Sequence, residues 1–208
     1  MVFRHLSAVS KVAMVENTRG KIIVHLRRLL PARAARRFAQ QQDGAAAVEF
    51  ALVAAPFLAL TFAILETALV FFAGQTLEAA VSDAGRLIMT GQAQTQGFSQ
   101  ADFKNQVCAR LAGGLFDCTN GIYVNVKTFT SYGSVNTTAP VNNGQFDSTQ
   151  MGYNAGTPGC IVAVSVFYQW PIYVSMLGDS LTNLGNGTRL LEATSVFRNE
   201  PYGPAGAC

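Results

Sequence analysis

Hydrophobic and polar positions divide the chain near residue 44. Residues 45–73 are apolar or small, interrupted only by Glu49, Pro56, Thr61, Glu66 and Thr67. A helix crossing the roughly 30 Å hydrocarbon core needs about 20 such residues, so the run predicts one membrane span. Beyond it the apolar positions change to a helical period. Leu77, Ala80, Val81, Ala84, Leu87 and Ile88 fall on one stripe, with Glu78, Ser82, Asp83 and Arg86 elsewhere. Span and stripe together predict one continuous helix of about 46 residues, roughly 70 Å long, stopping at Gly91. Pro56 removes one backbone hydrogen bond and permits a kink.

A second helix is predicted to open at Ser99, with Asp102 three residues on as a capping box. It carries Phe103, Val107 and Leu111 on one face and is expected to end at Gly113-Gly114. Three runs rich in β-branched and aromatic residues then read as strands: 122–129, 161–170 and 189–198. The middle run alternates Val162, Val164, Val166, Tyr168 and Trp170 against Ile161, Ala163, Ser165, Phe167 and Gln169. Both of its faces are largely apolar, which places it centrally. Residues 130–159 are rich in Gly, Asn, Ser and Thr and show no period, so they read as a long loop: a lid, a contact surface or a mobile segment. The expected fold class is α+β. A long N-terminal transmembrane helix continues into a second, external helical part, packed with a further helix on a small antiparallel sheet of about three strands.

Charge sets the orientation. Residues 1–43 hold nine Lys/Arg against two acids, a net of +7, and residues 44–208 hold six against ten, a net of −4. A basic tail beside a single span is expected in the cytoplasm. The same run could be a nucleic-acid patch, but its arginines sit directly before the span rather than among aromatic residues, and no nucleic acid is expected as a partner. All four cysteines (Cys108, Cys118, Cys160, Cys208) follow the span, on the side where disulfides persist. Of three possible connectivities, the short Cys108–Cys118 loop is favoured. Antiparallel pairing of the last two strands would then bring Cys160 within reach of Cys208. Both histidines, His5 and His25, precede the span. That excludes Ser-His-Asp and Cys-His catalysis and any His-containing metal site beyond it.

The two acids of the span need a reason. Glu49 and Glu66 lie about 25 Å apart along a helix, each close to one membrane boundary, where snorkelling lowers the roughly 3 kcal/mol estimated for an acid at the bilayer centre. Glu66 reads as an intramembrane acid or as a mark of the span's far edge. Glu49 has a more specific context: a basic leader, Gly44, four small or apolar residues beginning at Ala45, then Glu49 and Phe50. This resembles the G-x-x-x-x-E-[FY] processing site of type IV pilin-like precursors, cut after the glycine by a membrane-embedded prepilin peptidase. Glycine lets an extended backbone enter a protease cleft closely. The cut would free an amine on Ala45. In an assembling filament, such an ammonium can neutralise a carboxylate on the neighbouring subunit, where an unpaired buried charge would cost several kcal/mol.

The resemblance extends further. Gly44, Glu49, Phe50, Pro56, Glu66, Ala79, Ala80, Ala84 and Arg86, with "FYQWPIY", "GTRLLEATSVFRNEPY" and "FKNQVCARL…DC", are similar to the TadE-like family, the minor pseudopilins of tight-adherence (Flp, type IVc) pili. The likeness covers most of residues 36–203 and is strongest over 44–91. It implies a pilin-like fold and no cofactor, metal or catalytic residue. It also implies removal of residues 1–44, a transmembrane helix over 45–73 and a periplasmic domain over 74–208 in the bacterial inner membrane. The implied partners are prepilin peptidase, other pseudopilins or pilins, Tad assembly proteins and inner-membrane lipid. Two features depart from the pattern. The leader is long, with Met14 as a second possible start, and Cys160 stands where a polar or acidic residue is expected. Two other functions compete: a membrane-anchored periplasmic binding module using the 130–159 loop, and an anchored enzyme built on paired carboxylates such as Asp147 and Asp179.

Overall fold

In a computed structural model, residues 44–111, 113–174, 181–204 and 206–208 are described. The basic leader before Gly44 and Asp179 lie outside them. The chain divides into two units, Met1–Leu52 and Val53–Cys208. Helix α1 runs from Ala45 to Met89, 45 residues with Pro56 inside. It is long and apolar enough to cross a membrane, and its most apolar window has no buried residue.

Within the second unit, α1 changes character along its length. Val53, Phe57, Leu60, Phe62, Ile64 and Leu65 are exposed, whereas Glu66, Val70, Ala73, Leu77, Ala80, Val81, Ala84, Gly85 and Ile88 are buried. The buried stripe keeps the three-and-four spacing that places side chains on one helical face. It packs on a three-stranded antiparallel sheet of order β1-β4-β5, formed by β1 (Ile122–Phe129), β4 (Ile161–Pro171) and β5 (Thr188–Arg198). Register is given by Val124 opposite Val166 and Val164 opposite Ser195. One sheet face, with Val124, Val126, Val162, Val164, Val166 and Ala193, shares its core with α1. At Gly85 the two layers come close enough that a Cβ would meet the Phe197 ring at 3.0 Å.

Two short helices bridge the layers. Gly91, with φ +78°, ends the α1 turn and starts α2 (Gln92–Thr95). Helix α3 (Gln100–Cys108) opens with the expected capping box: Ser99 Oγ accepts from the Asp102 N–H, and the Asp102 carboxylate accepts from the Ser99 N–H at 2.9 Å. It ends five residues before Gly113. The Arg110 and Leu111 N–H groups donate to Val107 and Cys108 in a tightened last turn. The chain then reverses, so that Phe116 packs edge-on to Tyr168 and Trp170 and Cys118 returns to Cys108. Glycine chemistry alone would have allowed another turn, but the disulfide and the buried ring forbid it.

On the other sheet face, the long loop expected over residues 130–159 packs against the sheet. Phe167 and Leu190 form a second core with Leu184, against which Tyr123, Ala139, Phe146 and Met151 pack. Phe146 reaches that core from a small hairpin, β2 (Val141–Asn142) with β3 (Gln145–Phe146), turned by Asn143 and Gly144 at φ 51° and 73°. Asn-Gly with both φ positive is the turn that suits strand twist. Further on, the segment covers the outer edge of β1: Val126 donates to Gly152 and Asn154 donates to Val126, at 2.8 and 2.9 Å. Central β4 therefore has a cover on each side. The tail closes the body, with Asn199 bonded to Cys160, Ala155 and Thr157, and Tyr202 lying over Gly91.

Two outcomes follow. An alanine at Gly91 would hold a left-handed backbone, at about 1–2 kcal/mol, and would run its Cβ into the Tyr202 ring. Gly91→Ala is expected to lower stability by roughly 2–4 kcal/mol in urea denaturation, with overpacking added to strain. Gly97→Ala, at φ +65° in open space, should show the strain alone. The second concerns pH. Hydrogen bonds from the Ser99 hydroxyl and N–H hold the Asp102 carboxyl below its ordinary value of 3.8. Its folded value is the depressed one, so the contribution is full above 3.8 and is lost as pH falls through the folded value. Amide exchange in α3 should quicken only in that acid window, and Asp102→Asn should remove the step.

Candidate assembly site: the start of the helix and Glu66

The residues expected to be processed lie in the first unit. Gly44 immediately precedes α1, and Ala45 is its first residue. A Cβ at Gly44 would meet nothing within 4 Å, and the backbone there is not left-handed. Among the described residues, nothing in the packing demands glycine at this position. Glu49 and Phe50 are both exposed, Phe50 at 75%. Ala45 and Glu49 are four residues apart on the helix, hence on one face one turn apart.

Glu66 is different. It is 5% exposed, and its carboxylate is taken up by the chain itself. The Tyr173 N–H donates to Oε1, and the Val174 N–H donates to Oε2 at 2.8 Å. Two successive backbone donors on one carboxylate form charge-assisted bonds, roughly twice as strong as neutral ones. They also satisfy two backbone groups just past the end of β4, where strand pairing stops at Pro171. The acid expected within the span or at its edge is thus a clasp between α1 and the loop after β4. Nothing in the sequence named its partners, because backbone N–H groups carry no residue signature.

The four cysteines form two bridges, Cys108–Cys118 and Cys160–Cys208, closing separations of 10 and 48 residues. The first pins the turn after α3. The second ties the tail to the start of β4. Asp147 lies just past β3, and Asp179, named with it as a candidate pair, is outside the described residues. The Asp147 carboxylate accepts from the Thr149 N–H and hydroxyl and from the Asn142 amide, bonds that hold it below its ordinary value. Half-buried Tyr153 has its hydroxyl pushed up to about 12, mainly by loss of water and further by Asp102. Among the described residues no group of three or more His, Cys, Asp or Glu could hold a metal ion. A groove of about 340 Å³ between α3 and β1 is lined by Gln100, Lys104, Tyr123, Ser148 and Met151.

Removing the Glu66 carboxylate leaves two N–H groups without their acceptor. Glu66→Ala is expected to cost about 2–6 kcal/mol, at about 1–3 per orphaned group, in urea denaturation followed through the one tryptophan, Trp170. Glu49→Ala, at an exposed position, should leave that midpoint unchanged.

Comparison with known proteins finds a likeness along this helix. Residues 44–86 match the model of a family described as TadE-like protein. No curated protein and no solved structure gave a match. From the glycine before α1 to the arginine near its end, this stretch of the chain is similar to the TadE-like family.

Proposed function

We propose that the protein is a minor pseudopilin, an assembly factor for a Flp-type (Tad) pilus, cut after Gly44 by prepilin peptidase. The carrying observation is that Gly44 has open space around it and an ordinary backbone. A glycine with no role in folding supports a role in recognition, where a bare backbone enters a cleft. The family match begins at this residue. In the proposed arrangement α1 is a single-pass anchor of the inner membrane, the basic leader is cytoplasmic, and the domain beyond the span is periplasmic, where both disulfides persist. Cleavage makes Ala45 a positive terminus, and Glu49, exposed on the helix, is the acid that a neighbouring subunit's terminus neutralises. The register is favoured because any other axial offset leaves a charge in lipid without a partner. The partners are then the peptidase, other pilins or pseudopilins, and Tad assembly proteins. No catalytic residue or cofactor enters this role.

The competing reading, a tethered binding module, draws support from the groove beside α3. It cannot use residues 130–159 as a free lid, since Phe146 and Tyr153 are engaged in packing.

Intact mass of the membrane-purified protein decides. Ala45 should be the first residue in cells with active peptidase, and Gly44→Leu should leave the leader attached. Glu49→Gln should still be cut but should fail to support pili in a deletion strain. A chain recovered uncut beside an active peptidase would overturn the proposal.

A further inference from the structure

Taking α1 as the membrane span, on which this inference rests, we infer that the folded body touches the bilayer a second time, through the loop after β4, with Tyr173 seated at the lipid headgroup boundary. The apolar run 45–73 forms roughly 43 Å of helix, about 13 Å more than the hydrocarbon core. Its last two turns therefore emerge into the interface, and they are the turns at which the body begins to pack. Glu66, Val70 and Ala73 are buried there, while Leu69, Phe71 and Phe72 between them remain exposed. Aromatic and apolar side chains exposed at that level suit the interfacial belt rather than bulk water.

The loop is held at the same level. Side chains on a helix lean toward its N-terminus, so the Glu66 carboxylate lies on the membrane side of its own Cα. The Tyr173 and Val174 backbones are bonded to that carboxylate. Tyr173 is 78% exposed, the most exposed large hydrophobic side chain among the described residues. A tyrosine has an apolar ring and a polar tip, which matches a site wet on one side and oily on the other. Continuity with the span selects lipid as the occupant. Glu66 is the positioning residue, fixing the depth of the loop and thereby the tilt of the body on the membrane.

The test uses the full chain in phosphatidylcholine nanodiscs, with single cysteines carrying an environment-sensitive fluorophore. The native cysteines are all in disulfides, so the label is selective. Phe57→Cys reports insertion of the span, and Ser134→Cys, an exposed position in the 3-10 turn Tyr132–Ser134, reports water. Tyr173→Cys should be quenched by a nitroxide just below the headgroup, about twofold or more in emission as expected for an interfacial side chain, and little by aqueous iodide. Adding Glu66→Gln should reverse that preference while the near-ultraviolet signal of Trp170 persists. Iodide quenching of Tyr173→Cys like that of Ser134→Cys, with Phe57→Cys still in lipid, would overturn the second contact and leave the anchor standing. A Phe57→Cys label open to iodide would overturn both. An unchanged depth in Glu66→Gln would overturn the positioning role. None of these readings depends on whether the chain is cut at Gly44.

Discussion

One helix carries both an outward apolar stretch long enough to cross a membrane and a stripe buried on the sheet. The architecture is organised around the level at which the first gives way to the second. Before Glu66, α1 presents side chains such as Phe57, Phe62 and Ile64 outward; beyond it, one stripe turns toward the sheet. An unpaired carboxylate at that level would be costly on either side, in lipid or in a protein interior. Two backbone N–H groups from the end of β4 remove the problem. They also fix where the body stands on its anchor. The same pair of bonds solves a charge problem and a geometric one.

The remainder of the body follows from the central strand. β4 is buried on both faces over most of its length, so it needs a layer on each side and a strand at each edge. Helix α1 supplies one layer with small residues, Ala80, Ala84 and Gly85, that allow close approach. The other layer comes from an irregular segment that brings Phe146 against Tyr123 and Phe167, at centroid distances of 5.0 and 5.6 Å. A helix was not required there, because the exposed patch to be covered is one or two side chains wide. The two disulfides then lock the places where chain direction reverses without a helix or strand to hold it.

Against this framework the beginning of α1 stands out for contributing nothing to the fold. Gly44 contacts nothing through a Cβ position, and Glu49 and Phe50 face outward. In the proposed assembly, residues so placed answer to something outside the chain. The two glutamates of the apolar run thus separate by partner, Glu66 to its own chain and Glu49 to another molecule in the proposed assembly.

Much of this was legible in residue order. The long helix, the Ser99–Asp102 cap, the three strands and the central place of β4 follow from local periodicity and local hydrogen bonding, which depend only on neighbours a few residues away. The G-x-x-x-x-E-F context of Gly44 and Glu49 is equally local. Three things were decided by contacts distant in sequence. Asn143-Gly144 marked a hairpin whose strands are too short to show a period, and only the bare face of Phe167 gave Phe146 a place to go. Helix α3 stopped at Cys108 because Phe116 and Cys118 had to return to the core. Glu66 found its partners 107 and 108 residues away. Those partners are peptide N–H groups, which every residue but proline carries alike, so only the folded path of the chain could single them out.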